Sequence, residues 1–195
     1  MTAYHIALLL HLLSLLLATA ASALLHFAAH RRAQAPTLRE SVEWARFGGR
    51  TARMFPLAIV LLVLTGAFMV SRAWSWHLGW VQAGLVGALY MPVAGAVIGA
   101  RTRAAVGRSM QRLAETGSDP RNDQPGDAVA EALGNANTWL AVGIVLIMTM
   151  KPGLAESVAV LVLAAVVGAY RGARRAGAPA VGRASRGDDA EAELV

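Results

Sequence analysis

Cysteine is absent from the 195 residues, which removes disulfides, thiolate metal sites and thiol nucleophiles together. Charge is scarce as well. Asp, Glu, Lys and Arg make up 15% of the chain, against about 25% in a soluble domain. Lysine occurs once, as Lys151, so the net charge of +6 is carried by arginine. No long apolar run has an acidic residue in its interior. Proton- and sodium-coupled transporters usually place carboxylates there, so coupled transport is disfavoured. No nucleophile–base pair, phosphate-binding loop or HExxH pattern occurs, and an independent hydrolase is not expected. No basic face alternates with aromatics, which argues against nucleic acid.

What the chain has in quantity is apolar residues, 56% of the total. A bilayer core of about 30 Å needs roughly 20 such residues in a helix. Five stretches meet or approach that length: 4–28, 55–72, 78–100, 135–150 and 154–170. Lys151-Pro152-Gly153 breaks the last two into a hairpin, because proline removes a donor and glycine permits positive φ. The reading is an all-α polytopic membrane bundle, a single domain over 1–171. A tail at 172–195, rich in Ala, Gly and Arg, is expected to be disordered.

Arginine sets the orientation. Sixteen of the eighteen basic residues fall in 31–54, 101–134 or 171–195; Arg72 and Lys151 fall in the other gaps. The positive-inside bias then puts both loops and the C-terminus inside and the N-terminus outside. Residues 18–23, Ala-Thr-Ala-Ala-Ser-Ala, resemble a signal-peptidase site. Residues 1–5 carry no Lys or Arg, however, and cleavage would leave the six-arginine loop outside. The first span is therefore expected to stay. Thr37-Leu-Arg-Glu40 is a capping box that should open an amphipathic helix on the inner surface, ended by Gly48-Gly49. Asp127 is the expected N-cap of the fourth span, after a linker at 116–126. The third span should run on past the membrane over 101–115.

Four of the five histidines lie in or beside the first span. On a helical wheel Tyr4, His11, Ala18 and Ser22 share one sector, with Thr19, His26 and His30 to one side. His11 lies about 10 Å along the helix from Tyr4, inside the outer half of the hydrocarbon. An ionisable residue there is a candidate site; neutral imidazole is also the cheapest of them to bury, and a packing role stays open. His5, His77, Met69, Met148 and Met150 belong to the same outer half. Imidazole with thioether suits copper(I) or haem iron, with His5 or His77 as the partner of His11 and Arg72 and Lys151 near haem propionates. Methionine as a core filler and histidine at the interface are the competing readings. His26 and His30 have chelate spacing, but Arg31 and Arg32 follow, and headgroup contact is the expectation. In the third span Gly84, Ala88, Pro92, Gly95 and Gly99 make a small-residue face for another helix or a second copy.

Leu10-His11, Thr65-Gly66, Tyr90-Met91-Pro92-Val93, Trp139 with Gly143, and Met150-Lys151-Pro152 occur in that order over 4–155. In this the chain resembles an uncharacterised bacterial family of predicted integral membrane proteins. Its first helix is also similar to those of copper-resistance D-type and protoporphyrinogen-oxidase-like membrane proteins, where a Leu-His pair lies in the outer half. The resemblance implies haem b or copper at His11. The Trp-Gly-Gly that often follows that histidine is missing here. The other class of function is a non-catalytic membrane subunit or assembly partner with structural histidines.

Overall fold

The structure, a computed structural model, describes residues 2–117 and 127–177, without the side chains of 175–177. Six helices follow one another: α1 (Ala3–Gln34), α2 (Leu38–Ala52), α3 (Met54–Ala73), α4 (Gly79–Thr116), α5 (Ala128–Met150) and α6 (Leu154–Gly177). Among the described residues there is no strand. Five stretches are long and apolar enough to cross a membrane, with α2 and α3 forming one of them. The chain is an all-α multi-pass bundle.

The first layer is a hairpin of α1 against α2 and α3. Ala7, Ser14, Ala21 and Ala28 are the buried residues of α1, a strict seven-residue repeat of small side chains. A repeat of 3.5 residues per turn gives a left-handed pair, and small residues let the backbones approach where dispersion drives association. That buried line lies one helical step away from the Tyr4–His11–Ala18 stripe, so His11 stands at the edge of the seam. On the facing side α3 buries Ala58 and Thr65, again seven apart.

Thr37 caps α2 as the sequence predicts, its hydroxyl accepting from the Glu40 amide at 3.2 Å. Gly48-Gly49 does not end the helix, which continues to Ala52 and passes through a helical Arg53 into α3. A helical glycine costs about 1 kcal/mol, and here α1 offsets it. The Gly48 backbone packs near Leu25 and Ala28, and Phe27 meets Trp44 edge-on at 5.6 Å. α2 therefore extends α3 alongside α1, with Leu38, Ser41 and Thr51 turned inward.

The second layer is α4, α5 and α6. α4 runs 38 residues through Pro92, about 57 Å, so the extension expected at 101–115 is continuous with the span. Gly117 ends it in the left-handed region at φ 67°, where its amide reaches the Leu113 carbonyl. Asp127 caps α5 by accepting from the Ala130 amide at 3.1 Å. The same carboxylate takes two hydrogen bonds from Arg101, 2.9 Å from Nε and 3.0 Å from Nη2.

Lys151, at φ 52° and ψ 50°, closes α5 and begins the hairpin to α6. That hairpin is tied by small residues, Gly143, Gly168 and Gly172. A Cβ on Gly168 would stand 2.6 Å from the Asn135 carbonyl, one on Gly172 would overlap the Glu131 carbonyl, and one on Gly143 would lie 3.1 Å from the Ala164 methyl. Gly168 and Gly172 are a GxxxG pair, the spacing that brings two membrane helices into backbone contact. α6 continues to Gly177, into the segment expected as tail; 178–195 and the linker residues 118–126 lie outside the described residues.

Candidate intramembrane site at His11

His11 reaches from α1 to α3. Its Nδ1 lies 3.1 Å from the Leu62 carbonyl oxygen and 3.0 Å from the Thr65 hydroxyl. A carbonyl can only accept, so Nδ1 carries the proton. The Thr65 hydroxyl in turn donates to the Leu61 carbonyl, which leaves its oxygen to accept from the ring. Both contacts thus select one tautomer, with the lone pair on Nε2. Among the described residues Nε2 has no hydrogen-bond partner. Gly66 makes the space: a Cβ there would come 3.4 Å from the ring's Cε1.

This is the outer-shell pattern that orients histidine ligands, a backbone carbonyl holding one nitrogen while the other faces the metal. It is equally a hydrogen bond that fastens two helices. The fold supplies it through the antiparallel α1–α3 seam, which places residue 11 opposite residues 62 to 66.

Among the described residues none of the other predicted ligands shares a hydrogen bond with this ring. His5 is exposed, its Nδ1 bonded to the Thr2 hydroxyl and its ring edge-on to Tyr4 at 6.3 Å. His77 is exposed on the turn before α4, where its amide donates to the Ser75 hydroxyl at 3.3 Å. Met148 fills the hollow over Gly84 and packs against the Val70–Trp80–Val81 cluster. Met69 is half-buried on α3, and Met150 is 69% exposed. Arg72 and Lys151 lie over aromatic rings, Arg72 at 5.3 Å from Phe68 and Lys151 at 4.3 Å from Trp74. Among the described residues no three His, Cys, Asp or Glu side chains gather as a metal-holding group. The imidazole that the described contacts orient here is that of His11. No protein-family model, curated protein or solved structure matches the chain.

A second polar contact joins the two layers. His26 Nδ1 lies 2.9 Å from the Ser22 carbonyl, and Nε2 lies 3.2 Å from the Thr138 hydroxyl of α5. Thr138 stands eleven residues into the chain after Asp127, about 16 Å along the helix. Thr138 is three residues into the 135–150 span, about 4.5 Å, so His26 meets α5 near the start of its apolar length. Beside it, Asn135 donates to the Glu131 carbonyl, and the Asn137 Oδ1 is buried with no partner. The sequence signal for this band is the polar run Asn135, Asn137, Thr138 at the start of an otherwise apolar span.

The small-residue face of α4 divides in two. Gly84 and Gly87 pack against Met148 and Ile144 of α5, whereas nothing lies within 4 Å of a Cβ built on Gly95.

Proposed function

We propose that the chain is a multi-pass protein of a bacterial inner membrane, with its N-terminus outside, that offers His11 Nε2 as an intramembrane ligand to haem iron or copper. The observation that carries this reading is the Leu62 carbonyl on Nδ1. It holds the ring in the tautomer a metal requires and leaves Nε2 free within an apolar helix pair. The resemblance of the Leu10-His11 helix to those of copper-resistance D-type and protoporphyrinogen-oxidase-like proteins points the same way. A bound haem iron or copper ion supplies one-electron chemistry. The residues of this chain orient the imidazole, keep it neutral-donor in form and keep bulk water from it. His5 and His77 are the candidate second ligands at that end; a second copy of His11 would serve as well.

The test is the detergent-purified protein, its absorbance spectrum and its metal content. A Soret band or stoichiometric copper in the wild type, lost in His11→Ala, is the expected outcome. A colourless and metal-free wild type, prepared from cells given both haem precursor and copper, overturns it.

A second reading is favoured by a different observation. The ring's one donor is already satisfied by α3, and among the described residues nothing lies within 4 Å of a Cβ built on Gly95 of α4. Both suit a non-catalytic subunit whose histidine is structural and whose α4 packs on another membrane protein. His11→Asn would then keep the fold and the partner, and no spectral feature would change.

A further inference from the structure

Two helices carry arginine in the same pattern on exposed faces. Along α2 and its junction with α3, Arg39, Arg46, Arg50 and Arg53 follow at steps of seven, four and three, which at about 100° per residue keeps them within roughly 60° of arc. They lie opposite Leu38, Ser41 and Thr51, which face α1. In α4, Arg101, Arg108 and Arg112 repeat the steps of seven and four, with Arg103 on another side of the helix. Arg39 pairs with Glu43 at 3.5 Å and Arg101 with Asp127. Arg46, Arg50, Arg53, Arg103, Arg108 and Arg112 have no acidic partner among the described residues, and all six are exposed.

The direction of these stripes decides what they fit. Because α2 continues α3 and lies along the unbroken α1, its stripe runs about 21 Å along the bundle axis. The α4 stripe continues a membrane span in the same way for about 16 Å. A headgroup layer perpendicular to that axis meets the first arginine or two, not the series. A run of carboxylates with a contour length of about 20 Å can match the whole length.

The chain contains one. Asp188, Asp189, Glu191 and Glu193 are four of its twelve acidic residues, gathered within six positions. Their tether starts in the right place. Gly172 of α6 lies against the Glu131 and Ala132 backbone of α5, and Asp127, one turn earlier, is held by Arg101. The last turn of α6 thus ends where the α4 stripe begins. The eleven residues from Ala178 to Asp188 can span at most about 40 Å, well beyond the 16 Å stripe.

We propose that the acidic segment 188–193 docks along the arginine stripes of α2 and α4. Tethering makes the contact intramolecular, with an effective concentration in the millimolar range for a short connection. The segment then competes with anionic lipid for the same guanidinium groups.

The absence of cysteine gives a clean test. Gly107 and Gly49 adjoin Arg108 and Arg50, and a Cβ at either position meets nothing within 4 Å. Full-length Ala190→Cys/Gly107→Cys and Ala190→Cys/Gly49→Cys are oxidised in phosphatidylcholine nanodiscs, with Ala190→Cys/Ser71→Cys as the control at the opposite end. At least one of the two pairs should cross-link severalfold faster than the control. That advantage should disappear in 0.5 M salt, and also when Asp188, Asp189, Glu191 and Glu193 become Asn or Gln. Cross-linking that is indifferent to those four substitutions overturns the proposal. So does cross-linking at the control rate in phosphatidylcholine, and arginine-dependent binding of phosphatidylglycerol vesicles at that point identifies lipid as the occupant.

Discussion

The ring of His11 and the carbonyl of Leu62 lie 3.1 Å apart across the α1–α3 seam, and this contact sets the tautomer of a histidine within an apolar helix. Hydrogen bonds between membrane helices contribute about 0.6 kcal/mol on average and up to about 1.7 kcal/mol. His11→Ala should therefore lower the unfolding free energy by roughly 1 kcal/mol, read by steric-trap or denaturant unfolding in mixed micelles. Thr65→Val should cost less, because the Leu62 carbonyl still receives the proton. A Thr65→Val loss larger than that of His11→Ala would show that the hydroxyl, not the carbonyl, anchors the ring.

Gly66 tests the same contact from the other side. Alanine fits, since its methyl would reach ordinary contact distance from Cε1; leucine does not. If His11 holds a cofactor, Gly66→Leu should shift or abolish its absorbance while Gly66→Ala leaves it in place. Overpacking of this kind typically costs about 1–3 kcal/mol, and the spectral readout separates a displaced ring from a merely destabilised hairpin.

The α5–α6 hairpin is expected to be the least tolerant part of the bundle. Gly168→Ala puts a methyl 2.6 Å from the Asn135 carbonyl, and backbone cannot yield as a side chain does. The substitution should lower the melting temperature in detergent strongly, at a cost of about 1–3 kcal/mol or more. Gly95→Ala, with nothing within 4 Å, should be neutral or stabilising by about 0.5–1 kcal/mol, because glycine is the poorer helix former. Equal effects at the two positions would mean that the helices are not packed as described.

Much of this is legible in the amino-acid sequence alone. Thr37 and Asp127 announce two helix starts because a capping side chain must lie beside the amides it satisfies, a purely local requirement. The Lys151-Pro152-Gly153 turn is local in the same sense. Gly48-Gly49 misleads for the converse reason: whether a glycine pair ends a helix depends on what packs beside it, and here α1 does. The His11–Leu62 bond could not be read from either helix alone, since it needs the register of α1 on α3. That register follows from the Ala7–Ser14–Ala21–Ala28 repeat, which looks unremarkable among so many apolar neighbours. His26 also meets Thr138, and that contact depends on how α1 meets α5, which neither helix shows alone.

At the opposite end of the bundle from His11, Asp127 both caps α5 and receives Arg101. The Arg101 hydrogen bonds hold its carboxyl below the usual carboxylate range, with the Ala130 amide adding to the effect. A carboxylate depressed in the folded state stabilises above the unfolded value of about 3.9, and the gain is lost as pH falls through the lower folded value. The cap should therefore be fully effective at neutral pH and weaken only below about pH 4. Asp127→Ala should cost about 1 kcal/mol at pH 7, and the difference from wild type should close in acid. A difference that stays constant down to pH 3 would assign the effect to something other than the carboxylate.

Lys151 combines two opposing terms. The left-handed conformation costs a non-glycine residue about 1–2 kcal/mol, while its ammonium lies 4.3 Å from the Trp74 ring centre, a contact contributing about 0.5–1 kcal/mol at an exposed site. Lys151→Gly should thus be close to neutral in the wild-type background, relief of strain offsetting the lost contact. In a Trp74→Leu background the offset is already gone, and the same substitution should stabilise by about 1 kcal/mol. The coupling is read from a double-mutant cycle of melting curves in detergent. No coupling would mean that the lysine is held by the turn alone, and the ring above it would then be interface rather than partner.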